Sequence, residues 1–146
     1  MAKKLELNEA LMSTAIIWAQ LSYCKRSKVG AVLSRDGRIV AAGFNGTLPG
    51  AANECEDENG DSKITVLHAE ANAMAHCLQN GIKTKGTVLH ITLSPCLVCA
   101  KQLIYAGITE VYYMEAYRIT DGIDLLKEHG VIVRQFNSGL LDKLTE

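Results

Sequence analysis

The chain has 146 residues, 48% of them hydrophobic, and 15 basic against 16 acidic side chains give a formal net charge of −1. That length buries one sizeable core, so a single domain over residues 1–146 is expected. The charge balance argues against general nucleic-acid binding, which shows a clear basic excess, and no apolar run is long enough for a membrane helix. The opening residues, Met1-Ala2-Lys3-Lys4-Leu5-Glu6, lack the apolar stretch of a signal peptide. Cys24, Cys55, Cys77, Cys96 and Cys99 are an odd set, so reduced thiols in the cytoplasm are expected in place of a disulfide framework.

Taken in chain order, Asn8 is placed to cap a first helix that carries Leu11, Ala15, Trp18, Ala19 and Ser22 at helical spacing, with Cys24 as a buried helix residue. Residues 28–34 read as a strand, Asp36-Gly37 as a tight turn and 38–44 as the returning strand of a hairpin. Residues 45–64 are loop, punctuated by Asn45-Gly46, Pro49-Gly50 and Asn59-Gly60. Glu54, Glu56, Asp57, Glu58 and Asp61 make that loop acidic. A helix over 66–80 stops at Gly81, where a left-handed C-cap suits glycine. Then follow a strand (87–93), a helix (96–106), a strand (109–114), a helix (121–129), a strand (131–136) and a short terminal helix. After the hairpin, strands and helices alternate. The expected fold is α/β, a three-layer α-β-α sandwich around a five-stranded mixed sheet.

Two short motifs stand at the starts of helices. The first is His68-Ala69-Glu70 and the second is Pro95-Cys96-Leu97-Val98-Cys99. One imidazole and two thiolates are three zinc ligands, and three protein ligands leave a fourth position for water, as in catalytic sites. Helix N-termini stabilise thiolates, which metal binding requires. Glu70, two residues from His68, can move a proton beside the metal without ligating it. A redox dithiol also uses Cys-x-x-Cys, and a structural zinc would want a fourth Cys or His. The full His-x-Glu … Pro-Cys-x-x-Cys order instead matches the zinc deaminase signature.

At these residues the chain resembles the cytidine deaminase superfamily, and within it the deoxycytidylate (dCMP) deaminases. The likeness runs from about Leu11 to Phe136. It includes Val29-Gly30-Ala31-Val32, Gly43-Phe44-Asn45-Gly46, the two zinc motifs with their flanks, and Gly107-Ile108 ahead of a strand ending near Tyr117. The resemblance implies hydrolysis of dCMP to dUMP and ammonia for dTTP synthesis. It assigns one catalytic zinc to His68, Cys96 and Cys99 and the proton shuttle to Glu70. Asn45 is implied at the sugar hydroxyl, Ala69 and Ser94 at the base edge, Tyr117 against the deoxyribose and Arg118 at the phosphate.

Lys25, Arg26 and Lys28 are placed to face a phosphate, either of the substrate or of a regulatory nucleotide; the plainer alternative is cationic decoration of a helix end. Gly43, Phe44 and Gly46 match part of the family's regulatory site, so dCTP and dTTP are implied effectors. The acidic loop is a place for Mg²⁺ beside a triphosphate. Phe44 stands where such enzymes usually have tyrosine. The insertion before His68 is short and holds only Cys55, so no second zinc is expected. A homo-hexamer or smaller homo-oligomer is implied, with no nucleic-acid or membrane partner. The competing readings are a deaminase that also accepts dCTP, an enzyme like the tRNA adenosine deaminases, and a structural zinc module without activity.

Overall fold

The computed structural model describes residues 5–136 and 139–140. Its elements are α1 (Leu7–Ala19), β1 (Gly30–Arg35), β2 (Arg38–Phe44), α2 (Ala69–Gln79), β3 (Val88–Leu93), α3 (Leu97–Tyr105), β4 (Glu110–Glu115), α4 (Asp121–Glu128) and β5 (Ile132–Gln135). This is the order read from the sequence. The sheet runs β2-β1-β3-β4-β5. β1 is antiparallel to β2 and β3, whereas β3, β4 and β5 are parallel, so the sheet is mixed as expected.

The β1–β2 hairpin turns at Asp36-Gly37, both with positive φ (51° and 77°), the backbone that a two-residue hairpin loop demands. Successive residues of β1 point to opposite faces. Ala31 and Leu33 join Leu89, Ile91, Val111, Ala73, Leu103 and Leu126 in the larger core, under α2, α3 and α4. Val32 packs with Leu11, Met12 and Ala15 of α1 and with Leu140 on the other face. Burial on both faces is why β1 and β3 read as nearly continuous apolar runs. α2 comes so close to β2 that a Cβ on Gly43 would lie 2.6 Å from the Ala69 carbonyl oxygen.

Three local expectations are corrected. Glu6, not Asn8, is the N-cap of α1, and its N–H donates to Glu9 Oε1 at 3.1 Å. Asn8 therefore sits within the first turn, where its Oδ1 lies 3.1 Å from His90 Nε2. α1 ends at Ala19, so Ser22 and Cys24 lie beyond it. The chain is diverted there because Ser22 Oγ donates to the Asn45 carbonyl (2.8 Å) and accepts from the Cys24 N–H (3.2 Å). Lys25, Arg26 and Lys28 are thus not the decoration of a helix end. Finally, Cys24 and Cys55 form a disulfide, with 5.2 Å between their Cα atoms. The odd cysteine count concealed one pair because the loop that carries Cys55 folds back over residues 24–26. Of the expected terminal helix only residues 139 and 140 are described, both helical; the rest lies outside the described residues.

Candidate active site

The topology gathers the site at one edge of the sheet. β3 and β4 end there, and because β1 is antiparallel to β3, β1 begins there and β2 ends there. Ligands in open α/β sheets bind outside the carboxyl ends of the parallel strands, beside the helices that follow. Here those helix starts are occupied by His68, the N-cap of α2, and Cys96, the N-cap of α3. Cys99 lies in the first turn of α3 and is buried.

His68 Nδ1 is 3.6 Å from Cys96 Sγ and 3.3 Å from Cys99 Sγ. The edges of a tetrahedral zinc site with Zn–S near 2.3 Å and Zn–N near 2.05 Å are about 3.6 Å long. The three donors therefore stand at the spacing the ion needs, and their chemistry fits zinc. The Cys96 thiol is drawn down to about 4 by hydrogen bonds from Cys99 and His68, and the His68 imidazole is raised chiefly by the same hydrogen bond to Cys96. The Cys99 thiol is raised by its hydrogen bond with Cys96 and by burial, so the bare site favours one negative sulfur, and a divalent cation would take the place of the shared proton.

Glu70 is 3% exposed. Burial pushes its carboxyl up to about 7, against the opposing pull of a backbone hydrogen bond and of His68. A carboxyl poised near neutrality can both accept and return a proton. It faces a cleft of about 410 Å³.

That cleft brings together most of the residues assigned from the sequence. His68, Ala69, Glu70, Asn45, Ser94, Cys96, Tyr117 and Arg118 all line it, and so does Arg26. Asn45 is fixed from both ends: its Oδ1 accepts the Val29 N–H (2.8 Å) and its Nδ2 donates to the Ser27 carbonyl (2.7 Å). Ser94 Oγ accepts the Tyr117 N–H at 2.7 Å, which ties the end of β3 to the segment after β4. The Arg118 guanidinium lies 6.0 Å from the centre of the Tyr117 ring. Among the described residues no carboxylate pairs with Arg118, whereas Arg26 reaches Asp61 at 3.7 Å in an exposed pair.

The other expected positions are less central. Lys25 lines a second, acidic cavity and Lys28 is exposed. Gly43 is packed against α2, and the Phe44 ring lies 6.1 Å from that of Trp18. Gly46 pairs with Leu67 across an isolated bridge. The sequence reading missed the cleft wall formed by Cys24, Ser27, Glu56, Ser62 and Val66. It is built from loops that carry no periodicity. Three cysteines are left over after the zinc motif, and Cys24 and Cys55 among them were the one available signal. Cys24, Cys55 and Glu56 also bring three ligand-type atoms within 4.8 Å of one another, but the two sulfurs are bonded to each other.

An open three-donor metal site with a buried carboxylate at the end of an α/β sheet defines a metal-assisted hydrolytic centre. The model of the cytidine and deoxycytidylate deaminase zinc-binding region matches residues 5–115. ComE operon protein 2 of Bacillus subtilis is 36% identical over 138 residues, covering 91% of this chain and 72% of that protein. The deoxycytidylate deaminase of Saccharomyces cerevisiae is 34% identical over 138 residues, covering 86% of this chain and 43% of the yeast protein. Among solved structures, the dCMP deaminase of cyanophage S-TIM5 in complex with dCMP and dUMP superposes with a TM-score of 0.88 at 45% identity, covering 92% of this chain and 99% of that one. The chain belongs to the cytidine and deoxycytidylate deaminase family. No helix among the described residues is long and apolar enough to cross a membrane.

Proposed function

We propose that the protein deaminates dCMP hydrolytically to dUMP and ammonia, with one zinc held by His68, Cys96 and Cys99. The observation that carries this reading is the cleft itself. It is lined by the donors His68 and Cys96, by the buried Glu70, and by two arginines, Arg118 and Arg26. A nucleoside monophosphate offers a partner to each set: a base for the metal donors and Glu70, and a dianion for the guanidinium groups. Zinc, when bound, acts as a Lewis acid and lowers the pKa of a water molecule toward 7. As the water's oxygen bonds to C4, Glu70 would carry its first proton to N3; Glu70 would then move the second, from the new C4 hydroxyl, to the amine, which leaves as ammonia when the C4–N bond breaks. The backbone of Ala69 and of Ser94 reads the base edge, the remaining N–H of Asn45 meets the sugar hydroxyl, and Tyr117 lies against the deoxyribose. Arg118 grips the phosphate bidentately, with Arg26 beside it.

The same reading makes the protein an enzyme of dTTP supply in the cytoplasm, where the Cys24–Cys55 bond would have to withstand reducing conditions, and a homo-oligomer, a hexamer or smaller. The outer face of α3 supports an assembly, since Leu97, Val98 and Tyr105 are all exposed there. Control by dCTP and dTTP, with Mg²⁺ at the acidic loop, would use Lys25, Lys28 and the Gly43-Phe44-Asn45-Gly46 turn. The cleft-side position of Arg26 favours a substrate role for that residue.

Loss of cytosine absorbance on dCMP tests the activity, with deoxycytidine, dCTP and tRNA as comparison substrates and dCTP and dTTP as added effectors. Zinc-loaded protein that leaves dCMP intact would refute it. Light scattering gives the assembly.

A further inference from the structure

One carboxylate stands where a dianionic substrate would not want it. Glu56 lines the main cleft together with Arg26 and Arg118. Its oxygens accept the backbone N–H of Lys25, at 3.1 and 3.3 Å, and that of Arg26, at 3.3 Å. The neighbouring residues are held as well: Cys55 is joined to Cys24, and Glu56 pairs with Ser62 across an isolated bridge. Segment 24–26 is thereby tied down although it lies in no helix or strand. Glu56 and Arg26 also line the second cavity, together with Lys25, Glu54, Asp57 and Glu58, so carboxylates outnumber cations there. Glu56 and Arg26 stand at the boundary between the two spaces.

We propose that Glu56 is a positioning and selectivity residue for the phosphate end of the nucleotide. By holding two consecutive N–H groups it fixes the backbone that carries Arg26, whose side chain lines the cleft while reaching Asp61 at 3.7 Å. By its charge it closes the way out of the cleft to a second and third phosphate, so the site takes a nucleoside monophosphate and turns away the diphosphate. Repulsion between like charges in a confined, partly desolvated space is strong enough to discriminate ligands that differ by one phosphate. This inference rests on the reading of Arg118 and Arg26 as the phosphate end.

The two roles separate in two variants of the zinc-loaded protein. Glu56→Ala removes the clamp and Glu56→Gln keeps an acceptor oxygen while losing the charge. The measurements are kcat and KM for dCMP and inhibition constants for deoxycytidine and dCDP, without Mg²⁺, with zinc content determined in parallel. Glu56→Ala should raise the KM for dCMP on the order of tenfold relative to the inhibition constant of deoxycytidine, with kcat nearly retained. Glu56→Gln should tighten dCDP relative to dCMP on the order of tenfold. Equal weakening of dCMP and deoxycytidine by Glu56→Ala would overturn the positioning role, since a merely structural residue affects both. An unaltered dCDP-to-dCMP ratio in Glu56→Gln would overturn the selectivity role. Two zinc ions per chain, falling to one in Glu56→Ala, would make Glu56 a metal ligand and end both. A failure of the underlying reading shows separately: Arg118→Ala would then leave the KM for dCMP where it was.

Discussion

The two ends of the cleft are built by different means. At the metal end, His68, Glu70, Cys96 and Cys99 ride on the first turns of α2 and α3, and those helices are packed into the larger core through Ala73, Cys77, Ala100 and Leu103. At the proposed phosphate end, the wall is loop tied to loop by the Cys24–Cys55 disulfide, the Glu56 carboxylate and the Asn45 side chain. The chemistry is thus mounted on rigid elements. The part proposed to sense the nucleotide is mounted on side-chain ties, each of which can be cut alone. Substitutions at the first end should therefore change turnover, and substitutions at the second should change affinity and stability.

Glu70→Gln is the strongest test of the first half of that contrast. It preserves size and hydrogen bonding but removes the proton shuttle. We expect kcat for dCMP to fall by about 10²–10⁴-fold, the usual worth of a general acid–base group, with zinc content and dUMP binding retained. A variant that keeps wild-type turnover would place the proton transfer on another group. Loss of zinc in this variant would show that the metal end is less independent than its packing suggests.

The same contrast explains what the sequence could reveal. His68 and Glu70, and Cys96 and Cys99, are close neighbours in the chain at helix starts. Local spacing alone therefore states their geometry, and the strand–helix alternation places both starts on one edge of the sheet. Glu56 and Arg26 are brought together by a loop that returns across the chain, as are Cys24 and Cys55, 31 residues apart. No period links such positions. Asn8 illustrates the same limit at a smaller scale. It is a good cap by residue type, but the reciprocal Glu6–Glu9 arrangement starts α1 earlier and leaves Asn8 for His90. Ties that depend on tertiary return were not legible, and the wall consists of them.

Cutting the wall's covalent tie comes next in size. A disulfide that closes a loop of this length stabilises by about 4 kcal/mol in the chain-entropy account, so Cys55→Ser should lower Tm by about 10 °C. A dithiol reductant should do the same to the native protein and nothing further to the variant. Equal Tm values before and after reduction would mean that the loop is held without the bond. Arg118→Ala follows. A charge-assisted contact to phosphate is worth about 1.5–3 kcal/mol, so the KM for dCMP should rise about 10–100-fold, with kcat little changed. A fall in kcat of similar size would show that the phosphate grip also aligns the base at the metal, and the two ends would not be separable.

The smallest effect concerns neither end, and it is needed to interpret any pH profile of the cleft. His90 is fully buried, stacked on Tyr112 with 4.8 Å between ring centres and bonded through Nε2 to Asn8. Burial lowers its pKa from the ordinary 6.5 to about 4, so the fold holds the neutral ring. Between those two values the unfolded chain binds the proton and the folded chain does not. The stabilisation is therefore complete above pH 6.5 and is lost as the pH falls toward 4, with an upper size on the order of 3 kcal/mol. Activity lost in that window could thus come from unfolding on the far side of the sheet, not from protonation of Glu70. His90→Gln, which is neutral at every pH, should flatten the dependence of Tm on pH between 6.5 and 4 relative to the native protein. If the two slopes coincide, His90 is not the source of the acid sensitivity, and an acid limb in turnover then belongs to the cleft itself.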